Sequence, residues 1–216
     1  ATAVVTGASS GLGRRFAIVL AANGAKVALA GRRRDQLDAT AAEIVALGGT
    51  ALAVPFEVTD HAAIAPAFDA LESGLGPLTG LVNNAGIAGA GPIDDLALAR
   101  WREMLAVDLE APFLLAQEAA RRMAGRGGAI VNVSSILGLR PTPGDAAYAV
   151  AKAGLAQLSG VMALEFAPQG VRVNTLAPGY VVTGMNAAFF ASPESRRIVD
   201  RIPLGRVGQV DDLDGA

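Results

Sequence analysis

The chain has 216 residues, a formal net charge of −2, no cysteine and one histidine, His61. The length suits one α/β domain with a sizeable core, and the charge supplies no basic field for nucleic acid. Without cysteine there is no disulfide or thiol chemistry, and a lone histidine leaves neither a zinc ligand set nor a Ser-His-Asp triad, so no metal is expected.

Strand-like and helix-like segments alternate from the start. "TAVVT" (2–6) is a short apolar run that leads into glycines, and "LGRRFAIVLAANG" (12–24) has helical spacing up to Gly24. "KVALA" (26–30) predicts the second strand, "DQLDATAAEIVALGG" (35–49) a helix and "ALAVPF" (51–56) the third strand. "DHAAIAPAFDALESG" (60–74) reads as a helix despite Pro66. "LTGLVNN" (78–84) is the fourth strand, followed by a long helical region over about 95–124. "AIVNVSS" (129–135), "AAYAVAKAGLAQLSGVMALEFA" (146–167) and "VRVNTLAP" (171–178) predict a fifth strand, a long helix and a sixth strand.

This order means βαβ units, hence a doubly wound, mostly parallel sheet with helices on both faces. Residues 1–216 are expected to form a single dinucleotide-binding and catalytic domain. Its end, "VGQVDDLDGA", reads as the start of a helix cut short by trimming. No run approaches a membrane span of about 18 apolar residues and no leader-like segment opens the chain, so a cytoplasmic protein without a membrane partner is expected. Sheets of this kind bind ligands beyond the carboxyl ends of their strands.

The first such end carries "TGASSGLG" (6–13), with glycines at Gly7, Gly11 and Gly13. Glycine there permits a tight turn and close approach of a pyrophosphate to a helix N-terminus; a plain glycine-rich turn is the alternative. Where an NAD-preferring domain usually places an acid after its second strand, this chain has Gly31 followed by Arg32, Arg33 and Arg34. Cations before a helix N-terminus are disfavoured by the helix dipole. Either they form a solvated basic turn or a 2′-phosphate compensates them. The second reading makes NADP(H) the preferred cofactor, with NAD(H) possible.

The chain has two tyrosines, Tyr148 and Tyr180, and two lysines, Lys26 and Lys152. Tyr148 and Lys152 stand at i and i+4 and share a helix face. An ammonium beside a phenol favours phenolate, which suits Tyr148 to exchange a proton with an alcohol or ketone. An ordinary helix pair, with Tyr148 packed and Lys152 solvated, is the alternative. Ser135 ends the fifth strand thirteen residues before Tyr148. Its hydroxyl can hydrogen-bond a substrate oxygen, while strand alternation turns Ser134 the other way.

In combination these residues resemble the short-chain dehydrogenase/reductases, enzymes with a single compact Rossmann domain. The resemblance spans nearly the whole chain. It implies a nicotinamide cofactor, carbonyl–alcohol chemistry on a small-molecule substrate, and a homo-oligomer, dimer or tetramer. It makes Ser135, Tyr148 and Lys152 the catalytic set, with Asp108 at the tetrad position usually held by asparagine. There the family's helix backbone holds a water that reaches the lysine. "TGASSGLG" matches the cofactor loop, implicating Gly7, Ser9, Ser10, Gly11, Leu12 and Gly13. "NNAG" (83–86) adds Asn84, Ala85 and Gly86. "PGYVVT" (178–183) adds Pro178, Gly179, Val181 and Thr183. Arg32, Arg33, Glu57, Val58, Tyr148 and Lys152 complete the implied cofactor contacts. Glu57 replaces the aspartate usual before the adenine-contacting valine, and the helix and seventh strand usual beyond the sixth strand are not in this sequence.

Two other readings share these features. Nucleotide-sugar epimerases resemble this family and carry YxxxK, but are generally longer. A non-catalytic regulatory protein on the same fold would keep the cofactor loop. Among the remaining residues, His61, Arg140 and the cluster Arg121, Arg122 and Arg126 are expected to be solvated. Met185, Phe189 and Phe190 either line a pocket or pack a helix. If the chain ended at Ala216, Val171, Val173 and Leu176 on the sixth strand would lack cover; a longer natural chain and a homo-oligomer are expected instead.

Overall fold

The computed structural model describes residues 1–89 and 91–215. Six parallel strands form one sheet in the order β3-β2-β1-β4-β5-β6. They are β1 (Thr2–Thr6), β2 (Lys26–Gly31), β3 (Thr50–Pro55), β4 (Gly80–Asn83), β5 (Gly128–Val133) and β6 (Val171–Leu176). The helices are α1 (Gly11–Ala22), α2 (Arg34–Ala46), α3 (His61–Leu75), α4 (Leu98–Leu105), α5 (Ala111–Met123), α6 (Ala146–Phe166) and the short α7 (Ala187–Phe190) and α8 (Arg196–Val199). The sheet is doubly wound, as the alternation of elements predicts.

Strand alternation divides the core into two layers. Val4 of β1 packs on one face with Phe68 and Leu71 of α3, Leu115 of α5 and Met162 of α6. Its neighbour Val5 packs on the other with Ala17 of α1 and Leu37 and Ile44 of α2. Every residue of β1 is buried, which explains its continuous apolar run. The chain leaves β1 toward β2 on one side, and β4 pairs on the other. The crevice at this change of direction lies beyond Thr6 and Asn83, where ligands of such sheets bind.

The long helical region expected over about 95–124 is present: after a 3₁₀ turn at Ile93–Asp95 it runs through α4, a π turn over Ala106–Glu110 and α5. Pro112 has no N–H to donate to the Asp108 carbonyl four residues earlier, and the Ala111 N–H bonds the Ala106 carbonyl with the wider π spacing. The sixth strand edges the sheet. Val171 and Val173 are buried in the core that includes Met162 of α6, and Leu176 is half-buried. Finally, Arg122 is not a solvated charge. It donates to Glu118, Glu72 and Asp69 and its guanidinium lies over Phe68, tying α5 to α3.

As expected, α3 runs through Pro66. Where the sequence read as a helix start near the end, the described residues form a 3₁₀ turn at Val210–Leu213, capped reciprocally by Gln209 and Asp212. His61 and Arg140 are exposed. By length and composition alone α6 is apolar enough to cross a membrane; here it covers β5 and β6 from the core side.

Candidate active site

The loop after β1 forms the floor of the crevice. Gly7 has a positive φ of 67°, a conformation open to glycine at little cost. At Gly13 a Cβ would stand 2.4 Å from both the Gly7 carbonyl oxygen and Asn84 Nδ2, so no side chain fits. Ser10 is the N-cap of α1 but its side chain makes no capping hydrogen bond. The helix therefore begins with free N–H groups facing the loop, an arrangement that suits an anion. Thr183 closes this space from above, its Cγ2 3.4 Å from where a Gly11 Cβ would be. The Thr183 N–H donates to Asn186 Oδ1, and Asn186 Nδ2 donates back to the Val181 carbonyl. Val181 itself is bridged to Gly208.

The "NNAG" segment is bolted to the same floor through Thr6. Thr6 Oγ1 accepts from the N–H groups of Asn84 and Ala85, each at 3.0 Å, and Asn84 Nδ2 donates to the Thr6 carbonyl. Past β2, Arg33 donates to Ser9 Oγ at 2.7 Å and Ser10 Oγ at 2.9 Å. Arg32 turns instead to Glu57, at 3.4 Å and largely exposed. The two arginines that the sequence treated alike are thus separated: Arg33 stands on the phosphate loop, Arg32 on the acid after β3. Val58, the expected adenine contact, is buried in the core.

At the carboxyl end of β5 the two serines diverge as alternation requires. Ser134 Oγ donates to the Lys152 carbonyl at 2.7 Å and pins α6. Ser135 Oγ accepts from the Leu137 N–H, which leaves its own hydrogen to donate elsewhere. It faces the Tyr148 phenol, whose ionisation it favours. Burial outweighs this and, with Asp108 and Asp145 nearby, pushes the Tyr148 pKa up to about 12.

Lys152 decides between the two readings of the helix pair, because it is only 3% exposed. Its Nζ donates to the Val133 carbonyl at 3.0 Å and lies 5.6 Å from the centroid of the Tyr148 ring. Its counter-charge is Asp108, fully buried, with Oδ1 3.0 Å from Nζ. The carboxylate thus meets the ammonium directly. Asp108 Oδ2 accepts from the Ile87 N–H at 3.0 Å.

Ser135, Tyr148, Lys152 and Asp108 thus converge, with the glycine loop, on one edge of the sheet. Other residues stand apart. Phe190 makes edge-on contacts with Tyr180 and Phe189, which favours packing over pocket lining for it, while Met185 is exposed. An apolar cavity of about 600 Å³ lies beside the catalytic face, floored by Ala146 and Ala149 and walled by Pro92, Ile93, Pro141 and Pro143.

The sequence reading missed the buried polar chain beneath the site. Asn83 Nδ2 donates to Asn132 Oδ1 and to the Pro112 carbonyl, and Asn132 Nδ2 donates to Ser159 Oγ. It ties β4, β5, α5 and α6 together. Its signal in the sequence was an asparagine at the same register position of two apolar strands.

The model of the short chain dehydrogenase family matches residues 1–194. The chain belongs to that family. Gluconate 5-dehydrogenase of Gluconobacter oxydans is 38% identical over 218 residues, covering 100% of this chain and 85% of that protein. A Xanthobacter autotrophicus protein named inactive 2-(S)-hydroxypropyl-CoM dehydrogenase 2 is 43% identical over 197 residues, 88% of this chain and 84% of that one. A Beutenbergia cavernae structure, provisionally assigned as an NAD(P)-dependent gluconate 5-dehydrogenase and holding NADP at low occupancy, is 40% identical. It superimposes with a TM-score of 0.93 over 99% of this chain and 86% of that one. This member of the family is an NAD(P)-dependent oxidoreductase acting between alcohols and carbonyls.

Proposed function

We propose that this dehydrogenase prefers NADP(H) and interconverts a ketone and a secondary alcohol, with Tyr148 as the acid or base. The observation that carries the roles is Lys152: a lysine 3% exposed, anchored on the Val133 carbonyl and beside the Tyr148 ring. A solvated helix lysine has no reason to be there.

The residues present fit a dinucleotide. Gly7 and Gly13 leave the space a pyrophosphate needs, and the uncapped start of α1 offers N–H groups to it. Gly11 and Thr183 enclose that space. Arg33, with Ser9 and Ser10, would hold a 2′-phosphate, and Gly31 puts no acid in its way. Asn84, Ala85 and Gly86 form the wall beneath, with Pro178, Gly179 and Val181 leading to the opposite wall. When bound, the nicotinamide supplies or accepts the hydride. Ser135 donates to the substrate oxygen and fixes it beside the phenol. Tyr148 gives its proton to that oxygen in reduction and takes it back in oxidation. Lys152 favours the phenolate through its charge and has donors left for the cofactor ribose.

The apolar cavity over Ala146 and Ala149 supports a substrate with an apolar portion remote from the carbonyl. Homo-oligomerisation is part of the proposal, supported by the exposed apolar residues Phe113 and Val161 beside Leu109. A second reading, a cofactor-binding protein without turnover, is favoured by Asp108 at the asparagine position and by the relative named inactive. Following NADPH oxidation with a panel of cyclic, aliphatic and polyhydroxy ketones separates the two. Turnover of any of them supports the reductase; NADPH binding without turnover across the panel supports the second reading.

A further inference from the structure

The ion pair between Asp108 and Lys152 changes what the lysine can do for Tyr148. Asp108 is built into its position from three sides. The π turn carries it out of the regular helix, the Ile87 N–H holds one oxygen, and Gly86 leaves room for the other, since a Cβ there would stand 2.5 Å from Asp108 Oδ1. That oxygen has no aligned hydrogen-bond donor, although it lies 3.0 Å from Lys152 Nζ. It is held there by charge.

We propose that Asp108 is a positioning residue that sets the working direction of the site: by neutralising Lys152, it keeps Tyr148 protonated at neutral pH, so the chain works as a carbonyl reductase. The proposal rests on the acid–base role given to Tyr148. In reduction a C–H bond forms at the carbonyl carbon from the hydride of NADPH. The π electron pair of the C=O bond takes the phenol proton, and the phenolate regains a proton from solvent. In oxidation Tyr148 must first be ionised, and here ionisation waits for alkaline solution.

Tyr148 is faced by Asp108 from the π turn and Asp145 from the loop before α6, which disfavour its ionisation, by the Ser135 hydroxyl just beyond β5, which favours it, and by Lys152 from its own helix. Burial pushes the Asp108 carboxyl above its ordinary value, while Lys152, the Ile87 N–H and at longer range Arg100 of α4 favour its charged form; Arg100 is itself engaged with Glu103 and the carbonyls of Ala88 and Gly89. Among the described residues, the cation in contact with the phenol ring is Lys152, which sits against a carboxylate, and two carboxylates act against phenolate.

Only two tyrosines occur in the chain, so phenolate absorbance in a Tyr180→Phe background reports Tyr148 alone. Titrating that protein without cofactor, with and without Asp108→Asn, is the test. The expected result is a downward shift of the Tyr148 titration by about one pH unit, a tenfold rise in phenolate at a given pH. Superimposable titrations overturn the proposal. Asp108→Ser removes the charge in a smaller side chain and must shift the titration the same way if Asp108→Asn does not fold. Should neither fold, the unmodified protein decides: alcohol oxidation that climbs into alkaline pH while ketone reduction is level through neutrality supports the proposal, and oxidation already at its plateau at neutral pH overturns it. A titration shift without turnover supports the coupling and counts against the reductase reading. Turnover with superimposable titrations overturns the coupling and leaves the reductase reading standing.

Discussion

Arg33 donates to both hydroxyls of the phosphate loop, at 2.7 Å to Ser9 and 2.9 Å to Ser10. This places one guanidinium at the mouth of the cofactor crevice and leaves Arg32 to the exposed carboxylate of Glu57. Arg33→Ala is expected to weaken NADPH binding by about tenfold or more, from the roughly 1.5–3 kcal/mol of a charge-assisted hydrogen bond, and to leave NADH binding within a few-fold. Arg32→Ala is expected to have the smaller effect. Calorimetric titration of both cofactors into the three proteins checks this, and equal affinity of the unmodified protein for NADPH and NADH would remove the preference.

Arg122 is the second arginine that the structure takes out of solvent. Its side chain is 15% exposed and meets Glu118 and Glu72, which are also largely covered. Burial opposes its charge, but hydrogen bonds to Asp69, Glu72 and Glu118 prevail and raise its pKa. Arg122→Met is expected to lower unfolding free energy by about 1–3 kcal/mol, because it takes a charged donor from each of those carboxylates, although Glu72 keeps the Leu78 N–H and Glu118 keeps Arg121. Arg121→Ala, by contrast, removes a largely exposed cation whose partner Glu118 keeps Arg122, and is expected to change stability by less than about 1 kcal/mol. Urea unfolding of both variants makes the comparison.

Asn132 tests the polar chain under the site. Asn132→Leu keeps the volume but takes one partner from Asn83 and one from Ser159, both buried. Each buried polar group so orphaned costs about 1–3 kcal/mol; Asn83 keeps the Pro112 carbonyl and Ser159 Oγ keeps the Leu155 carbonyl, so a total near the lower end, about 1–2 kcal/mol, is expected. The matching catalytic readout is a larger fall in kcat than the rise in KM, since β5 and α6 carry Ser135, Tyr148 and Lys152.

Much of this was legible in the sequence for physical reasons. Strands buried on both faces must be continuous apolar runs, so "TAVVT" and "KVALA" announce themselves. A helix period places Tyr148 and Lys152 together, and a strand period sends Ser134 and Ser135 apart. What stayed hidden depends on where a long or polar side chain goes once the backbone is set. Arg32 and Arg33 are adjacent and chemically alike, and only the position of Ser9 and Ser10 separates them. Arg122 sits in a basic helix end that looks solvated until α3 brings Asp69 and Glu72 against it. The π turn was hidden because Pro112 reads as an ordinary helix start, and it is this turn that carries Asp108, the partner of Lys152.

The central claim, that Tyr148 transfers the proton at a nicotinamide site, is tested most directly by Tyr148→Phe. The substitution removes one hydroxyl and keeps the ring that packs beside Lys152. NADPH binding, read by fluorescence titration, is expected to stay within a few-fold, while kcat for ketone reduction falls by about a hundredfold or more, the usual worth of a positioned proton donor. Retention of about a tenth or more of the original kcat, against that hundredfold expectation, would contradict the account.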